Sequence, residues 1–147
     1  MKKKLKLLLV EDSKPDAVLC EAILKHRLGR PFKMDHVTCL GAAISEMNYE
    51  DQNYDLVLLD LNLKDSSGIP TLQVFKKYCE NTPVIVLSGM SDEKIIDTAL
   101  NEEGAASYIV KGEYNPEFMI KEIGDIIFPE DEKQKHNKKN IFGYKIA

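Results

Sequence analysis

No stretch of the 147-residue chain is apolar for long enough to cross a bilayer. No secretory leader is expected either. The apolar run after Met1-Lys2-Lys3-Lys4 is broken by Lys6, stops at Glu11-Asp12 and meets no small-residue cleavage site. Cysteine is scarce. Cys20, Cys39 and Cys79 are odd in number and far apart, so they fit neither a disulfide framework nor a zinc spacing. Reduced, mostly packed thiols in a cytoplasmic protein are the expectation. Charge of one sign is also in short supply: the formal net charge is only -4, and lysines gather chiefly at the two ends. A clustered basic stripe that would grip nucleic acid is absent, so no direct nucleic-acid or membrane partner is expected. His26, His36 and His136 have no nearby Cys or His partner and read as surface or partly packed imidazoles. What remains is 44% hydrophobic and 30% charged, enough for one domain with its own core.

Four short runs are rich in Val, Leu and Ile: Leu5 to Val10, Leu56 to Leu59, Val84 to Leu87 and Tyr108 to Val110. Nearly continuous apolar strands are what a parallel sheet covered on both faces requires. A weaker alternating run, Phe32 to Cys39, suits a further strand. Helical periodicity fills the gaps. One helix runs from about Pro15 to Arg27, with proline where a missing N–H costs nothing, and Gly29 and Pro31 end it. Others span Ala42 to Met47 and Ile69 to Tyr78, the latter entered through Asp65-Ser66-Ser67-Gly68, whose polar residues are natural caps. A fourth carries Ile95, Ile96, Ala99 and Leu100, capped by Ser91 or Asp92 and closed by Gly104. A fifth, from Asn115-Pro116, carries Phe118 to Ile127. Five βα units imply an α/β fold: a flavodoxin-like, doubly wound, five-stranded parallel sheet of order 2-1-3-4-5 with five helices. The domain is expected over residues 1–128, with 129–147 a polar C-terminal tail or linker stub.

In such sheets, ligands bind beyond the carboxyl ends of the strands. Those ends carry Glu11-Asp12, Asp60, Ser88 and Lys111. Carboxylates about 5 Å apart repel by roughly 3 kcal/mol per pair at an effective dielectric near 20. A hard divalent cation offsets this, and Mg2+ favours one or two carboxylates with water and a phosphoryl oxygen. A carboxylate can itself attack phosphorus, giving an aspartyl phosphate. Asp60, which closes an apolar run, is the expected nucleophile, with Glu11 and Asp12 as metal-binding acids. Lys111, the Ser88 hydroxyl and backbone N–H groups near Asn62 and Gly89 are placed to stabilise the spreading negative charge.

The ordered segments Leu8-Leu9-Val10-Glu11-Asp12, Asp55 to Leu63, Asp65-Ser66-Ser67-Gly68, Pro83 to Gly89 and Gly104 to Gly112 resemble the receiver domains of response regulators in two-component signalling. The resemblance runs from Leu5 to Ile127. It implies that Asp60 is the phosphoacceptor, that Glu11, Asp12, Asp60 and the Asn62 backbone carbonyl bind Mg2+, and that Lys111 pairs with the phosphoryl group. It further implies Ser88 as switch hydroxyl and Tyr108 as switch aromatic. A signalling switch follows, catalysing only its own phosphorylation and dephosphorylation. The implied partners are a histidine kinase or histidine phosphotransfer protein and a downstream protein effector. A homodimer through the fourth helix, fifth strand and fifth helix is also implied. Ala17, Cys20, Ala22 and Leu24 of the first helix, with the Lys111 loop, are expected on the kinase-docking side.

Three positions depart from the pattern. Lys64 stands where many relatives have proline, and Gly112 follows Lys111 where many have a cis proline. A trans Lys111–Gly112 bond is expected, since cis without proline costs about 3 kcal/mol. Met90 replaces the polar or acidic residue that helps some relatives orient water, so a long-lived aspartyl phosphate is expected. Rival chemistries fit less well. Glu11-Asp12 would repel a flavin phosphate, Asn62 replaces the second acid of a haloacid-dehalogenase-type phosphatase, and Val86 to Met90 lacks the leading glycine of a nucleophile elbow. The remaining alternative is a degenerate receiver acting as a phosphorylation-independent docking module. No output domain is expected within the chain.

Overall fold

The computed structural model describes residues 4–49, 52–113 and 115–129. Residues 130–147, which make up nearly all of the expected tail and include His136, lie outside them. Five strands, β1 (Leu5–Val10), β2 (Phe32–Val37), β3 (Leu56–Leu59), β4 (Val84–Ser88) and β5 (Ser107–Val110), form one sheet. Every pairing is parallel and the order is β2-β1-β3-β4-β5. The helices are α1 (Lys14–Arg27), α2 (Leu40–Asn48), α3 (Ile69–Lys76), α4 (Glu93–Asn101) and α5 (Pro116–Ile127), with a 3-10 turn at Lys111–Glu113. This is the expected flavodoxin-like doubly wound arrangement.

Strand periodicity explains the two layers. Successive side chains point to opposite faces. Leu7, Leu9, Leu56, Leu58, Ile85, Leu87 and Ile109 therefore pack with Ala17, Cys20, Ile23 and Leu24 of α1 and with Met119 and Ile123 of α5. Their neighbours Leu8, Val10, Val57, Leu59, Val84, Val86 and Tyr108 face α2, α3 and α4. The central strands are almost wholly apolar because both faces are covered, with Lys6 of β1 and Ser88 of β4 the exceptions. Edge strand β2 is only half-buried, which accounts for its weaker, alternating sequence signal.

Several element ends differ from the sequence reading. Strand β2 stops at Val37, and Cys39 instead caps α2, its sulfur accepting from the Ala42 N–H at 3.4 Å. Helix α2 consequently begins at Leu40, not Ala42. Asp65 does not cap α3. Its carboxylate accepts from the Leu40 and Gly41 N–H groups at 2.9 and 3.0 Å, serving the N-terminus of α2 across the fold. Helix α3 starts from Gly68, at φ 78°, without a side-chain cap, and ends at Lys76 rather than Tyr78. At α4, Asp92 rather than Ser91 accepts the capping hydrogen bond, from Lys94 N–H at 2.7 Å. No cis peptide occurs among the described residues, so Lys111–Gly112 is trans as expected. Ala17, Cys20 and Leu24 are buried against the sheet and cannot form a docking face. The apolar side chains that α1 exposes are Val18 and Leu19, 59% and 46% accessible.

Candidate functional site

Glu11 follows β1, Asp60 follows β3, Ser88 ends β4 and Lys111 follows β5. Parallel register brings these chain-distant ends to one edge. The Asp60 N–H donates to the Val10 carbonyl at 3.0 Å and the Glu11 N–H to the Val37 carbonyl at 3.0 Å, so both acids sit on backbone that continues the ladder. Glu11 and Asp60 are 1% and 3% exposed, whereas Asp12 is half-buried.

Lys111 Nζ is the cationic centre. It lies 2.5 Å from Glu11 Oε1, 2.9 Å from Asp16 Oδ2 and 3.3 Å from Asp60 Oδ2. Burial alone would push its ammonium down, but hydrogen bonds to Glu11 and Asp16 and the charge on Asp60 win, and it is held above the ordinary lysine range. Burial pushes Glu11 up to about 7, against the lowering effect of Lys111, and its contact with Asp60 raises it further. Asp16 is held below the usual carboxylate range, chiefly by its hydrogen bond to Lys111. Three carboxylates thus share one ammonium.

Oxygens of Glu11, Asp12 and Asp60 come within 4.8 Å of one another. Glu11 Oε1 is buried and, beyond its ion pair with Lys111, makes no hydrogen bond of good geometry. Hard oxygen donors, excess negative charge and an under-satisfied buried carboxylate suit a hard divalent cation such as Mg2+. The Asn62 N–H donates to Asp60 Oδ1 at 3.0 Å, fixing the carboxylate's orientation. Asn62 itself is exposed, in a loop pinned by its bridge to Ser67.

Ser88 and Tyr108 converge on a different group. The Ser88 hydroxyl accepts from the Met90 N–H at 3.1 Å, and the Tyr108 hydroxyl donates to the Met90 carbonyl at 2.7 Å. Tyr108 is fully buried, and that burial raises its phenol above the ordinary value. The Met90 side chain is half-buried against the α2–α4 core. His36 is exposed, and its Nε2 lies 2.7 Å from the Glu11 carbonyl.

Residues 7–123 match the family described as the response regulator receiver domain. The chain belongs to that family. The receiver is 34% identical over 119 residues to the cell cycle transcriptional regulator CtrA of Caulobacter vibrioides, a match covering 80% of this chain and 48% of that protein. Its identity to the cell cycle response regulator CtrA of Brucella ovis is 29% over the same length. It spans about half the length of these curated relatives. Among solved structures, the phosphorylated cyanobacterial phytochrome response regulator RcpA superposes with a TM-score of 0.71 at 27% identity, covering 87% of this chain and 96% of that one. A CheY-like receiver from Methanospirillum hungatei JF-1, at 21% identity and TM-score 0.69, covers 91% and 100% and shares the fold.

The receiver brings Glu11, Asp12, Asp60 and Lys111 together as the sequence suggested, and buries Ser88 and Tyr108 beside them. The sequence reading passed over Asp16. Its signal was the Ser13-Lys14-Pro15-Asp16 spacing, which reads as a helix cap and says nothing of Lys111.

Proposed function

We propose that this receiver accepts a phosphoryl group on Asp60 from a histidine kinase or histidine phosphotransfer protein and so switches a protein-binding face. The observation that carries the proposal is the buried Asp60 carboxylate, 3.3 Å from Lys111 and clustered with Glu11 and Asp12. In the transfer, an Asp60 oxygen forms the O–P bond while the P–N bond to the donor histidine breaks. The electron pair leaves with the imidazole nitrogen. Lys111 and the Ser88 hydroxyl stabilise charge on the equatorial oxygens, and the Asn62 N–H holds the remaining carboxylate oxygen. Glu11, Asp12, Asp60 and the Asn62 carbonyl are the residues that would hold Mg2+, which supplies neutralisation of the attacking carboxylate and the phosphoryl oxygens. Water later hydrolyses the acyl phosphate, so the protein is a switch with self-directed catalysis rather than an enzyme for a separate substrate.

The Ser88–Met90–Tyr108 links tie the site to the loop before α4. Movement of Ser88 toward a phosphoryl group disturbs the Met90 N–H that the hydroxyl accepts from, and with it the carbonyl that holds Tyr108. The face of α4, β5 and α5 is therefore the proposed output surface, for a protein effector or a second copy. A two-state population shift describes it. A domain over 1–128 followed by a polar tail, and a cytoplasmic setting, complete the proposal; no helix among the described residues is long and apolar enough to cross a membrane.

Intact mass after incubation with acetyl phosphate and Mg2+ tests the reading. A phosphoryl mass increase that needs Mg2+ and disappears in Asp60→Asn is expected. Failure of acetyl phosphate, a cognate donor and a beryllofluoride mimic alike would overturn it in favour of a phosphorylation-independent docking module.

A further inference from the structure

We infer that Asp16 is a positioning residue for Lys111, holding the ammonium at the mouth of the site so that it meets the incoming phosphoryl group. The inference rests on the phosphoacceptor role proposed for Asp60. Three carboxylates contact Lys111 Nζ, but they are not equivalent. Glu11 and Asp60 belong to the acidic cluster able to hold a cation, and Asp16 does not. When the cluster's oxygens are engaged by a metal or a phosphoryl group, Asp16 is the contact left to Lys111. A lysine ammonium is a point charge on a flexible four-carbon stem, so an anchor outside the reacting set limits where it wanders.

The local structure explains why Asp16 is free for this task. It occupies the third position of α1, where an acid commonly reaches back to the N-cap backbone. Here Ser13 caps the helix in the usual way, accepting from the Asp16 N–H at 3.4 Å. The reciprocal bond is taken by another residue: the Ser13 N–H donates to Glu11 Oε2 at 3.1 Å. Glu11 thus performs the back half of the capping box, and the Asp16 carboxylate turns across to the β5 end of the sheet. Its side chain is 40% exposed and that of Lys111 17%, so the pair forms the solvent-side wall of the site.

Two measurements test this. The first is the phosphorylation rate with acetyl phosphate at saturating Mg2+, for wild type, Asp16→Asn, Asp16→Glu, Lys111→Gln and the Asp16→Asn/Lys111→Gln pair. Asp16→Asn is expected to slow the reaction by about threefold, the size a partly exposed ion pair supports, with Asp16→Glu restoring most of it. In the Lys111→Gln background the same change is expected to have no effect. If that background is too slow to time, the cycle is read from beryllofluoride affinity. The second measurement needs no phosphoryl donor: acylation of Lys111 at saturating Mg2+, mapped by peptide mass, is expected to speed up by about threefold in Asp16→Asn as the amine loses the contact left to it. An Asp16→Asn rate at or above wild type, an equal effect with and without Lys111, or unchanged Lys111 acylation overturns the inference while leaving the Asp60 reading intact. A wild-type protein that takes no phosphoryl group by any route fails the Asp60 reading and this one with it.

Discussion

At the residue scale, the site depends on carboxylates kept in unequal surroundings. Glu11 is buried and pushed up to about 7, whereas Asp16, half in water, is pulled down by the same lysine. Lys111 reconciles them by contacting both together with Asp60. Met90 contributes differently. Its backbone joins Ser88 to Tyr108, while its side chain packs into the core and offers no polar atom to hold a hydrolytic water. Met90→Glu is expected to shorten the lifetime of the aspartyl phosphate roughly tenfold, a fraction of what a well-placed acid–base group contributes. Loss of the acyl phosphate, followed by intact mass after removal of the donor, checks this. A fast loss unchanged by the substitution would count against the role assigned to Met90.

At the element scale, the loop after β3 does two jobs. It carries Asn62, whose N–H orients Asp60, and Asp65, whose carboxylate accepts from the first N–H groups of α2. Those hydrogen bonds hold Asp65 below the usual carboxylate range. A group whose folded value is depressed contributes stability above its unfolded value, about 3.9 for Asp, and loses it as pH falls through the folded value. Asp65→Ala is therefore expected to cost about 0.5–1 kcal/mol at neutral pH, at the low end for a cap because the carboxylate is exposed. The two proteins should converge in stability as pH falls below the ordinary aspartate range. Urea unfolding at several pH values reads the difference, and a gap that widened in acid would contradict the assignment.

At the scale of the whole molecule, the sheet is a rigid frame for charges that repel. Its central strands are buried on both faces, so the strand ends cannot easily spread to relieve the crowding of Glu11, Asp12 and Asp60. A divalent cation bound only by the folded state raises stability by mass action, by about 2.7 kcal/mol at a hundredfold excess over Kd. Mg2+ is expected to raise the Tm by several degrees, chelation to reverse the shift, and Glu11→Gln or Asp60→Asn to blunt it. Calorimetric scans with Mg2+ and with chelator make the comparison. An unchanged Tm in wild type at millimolar Mg2+ would speak against the cation site.

The sequence by itself determined the sheet, its order and the residues at its carboxyl edge. Apolar strands ending in Glu11, Asp60, Ser88 and Lys111 leave little freedom once the pattern is parallel and right-handed. The acids were legible because strand termini are local features of the chain. Asp65 and Cys39 were misplaced because capping is decided by which N–H groups lie within reach, and here those belong to α2. The apolar residues of α1 were misread because helical periodicity marks a face without saying what covers it. Only the tertiary structure decided that Ala17, Cys20 and Leu24 meet the sheet. It alone decided, too, that Asp16 meets Lys111, across 95 residues of chain. A contact of that span depends on the packing of α1 beside α5 on one face of the sheet, and no local spacing encodes it.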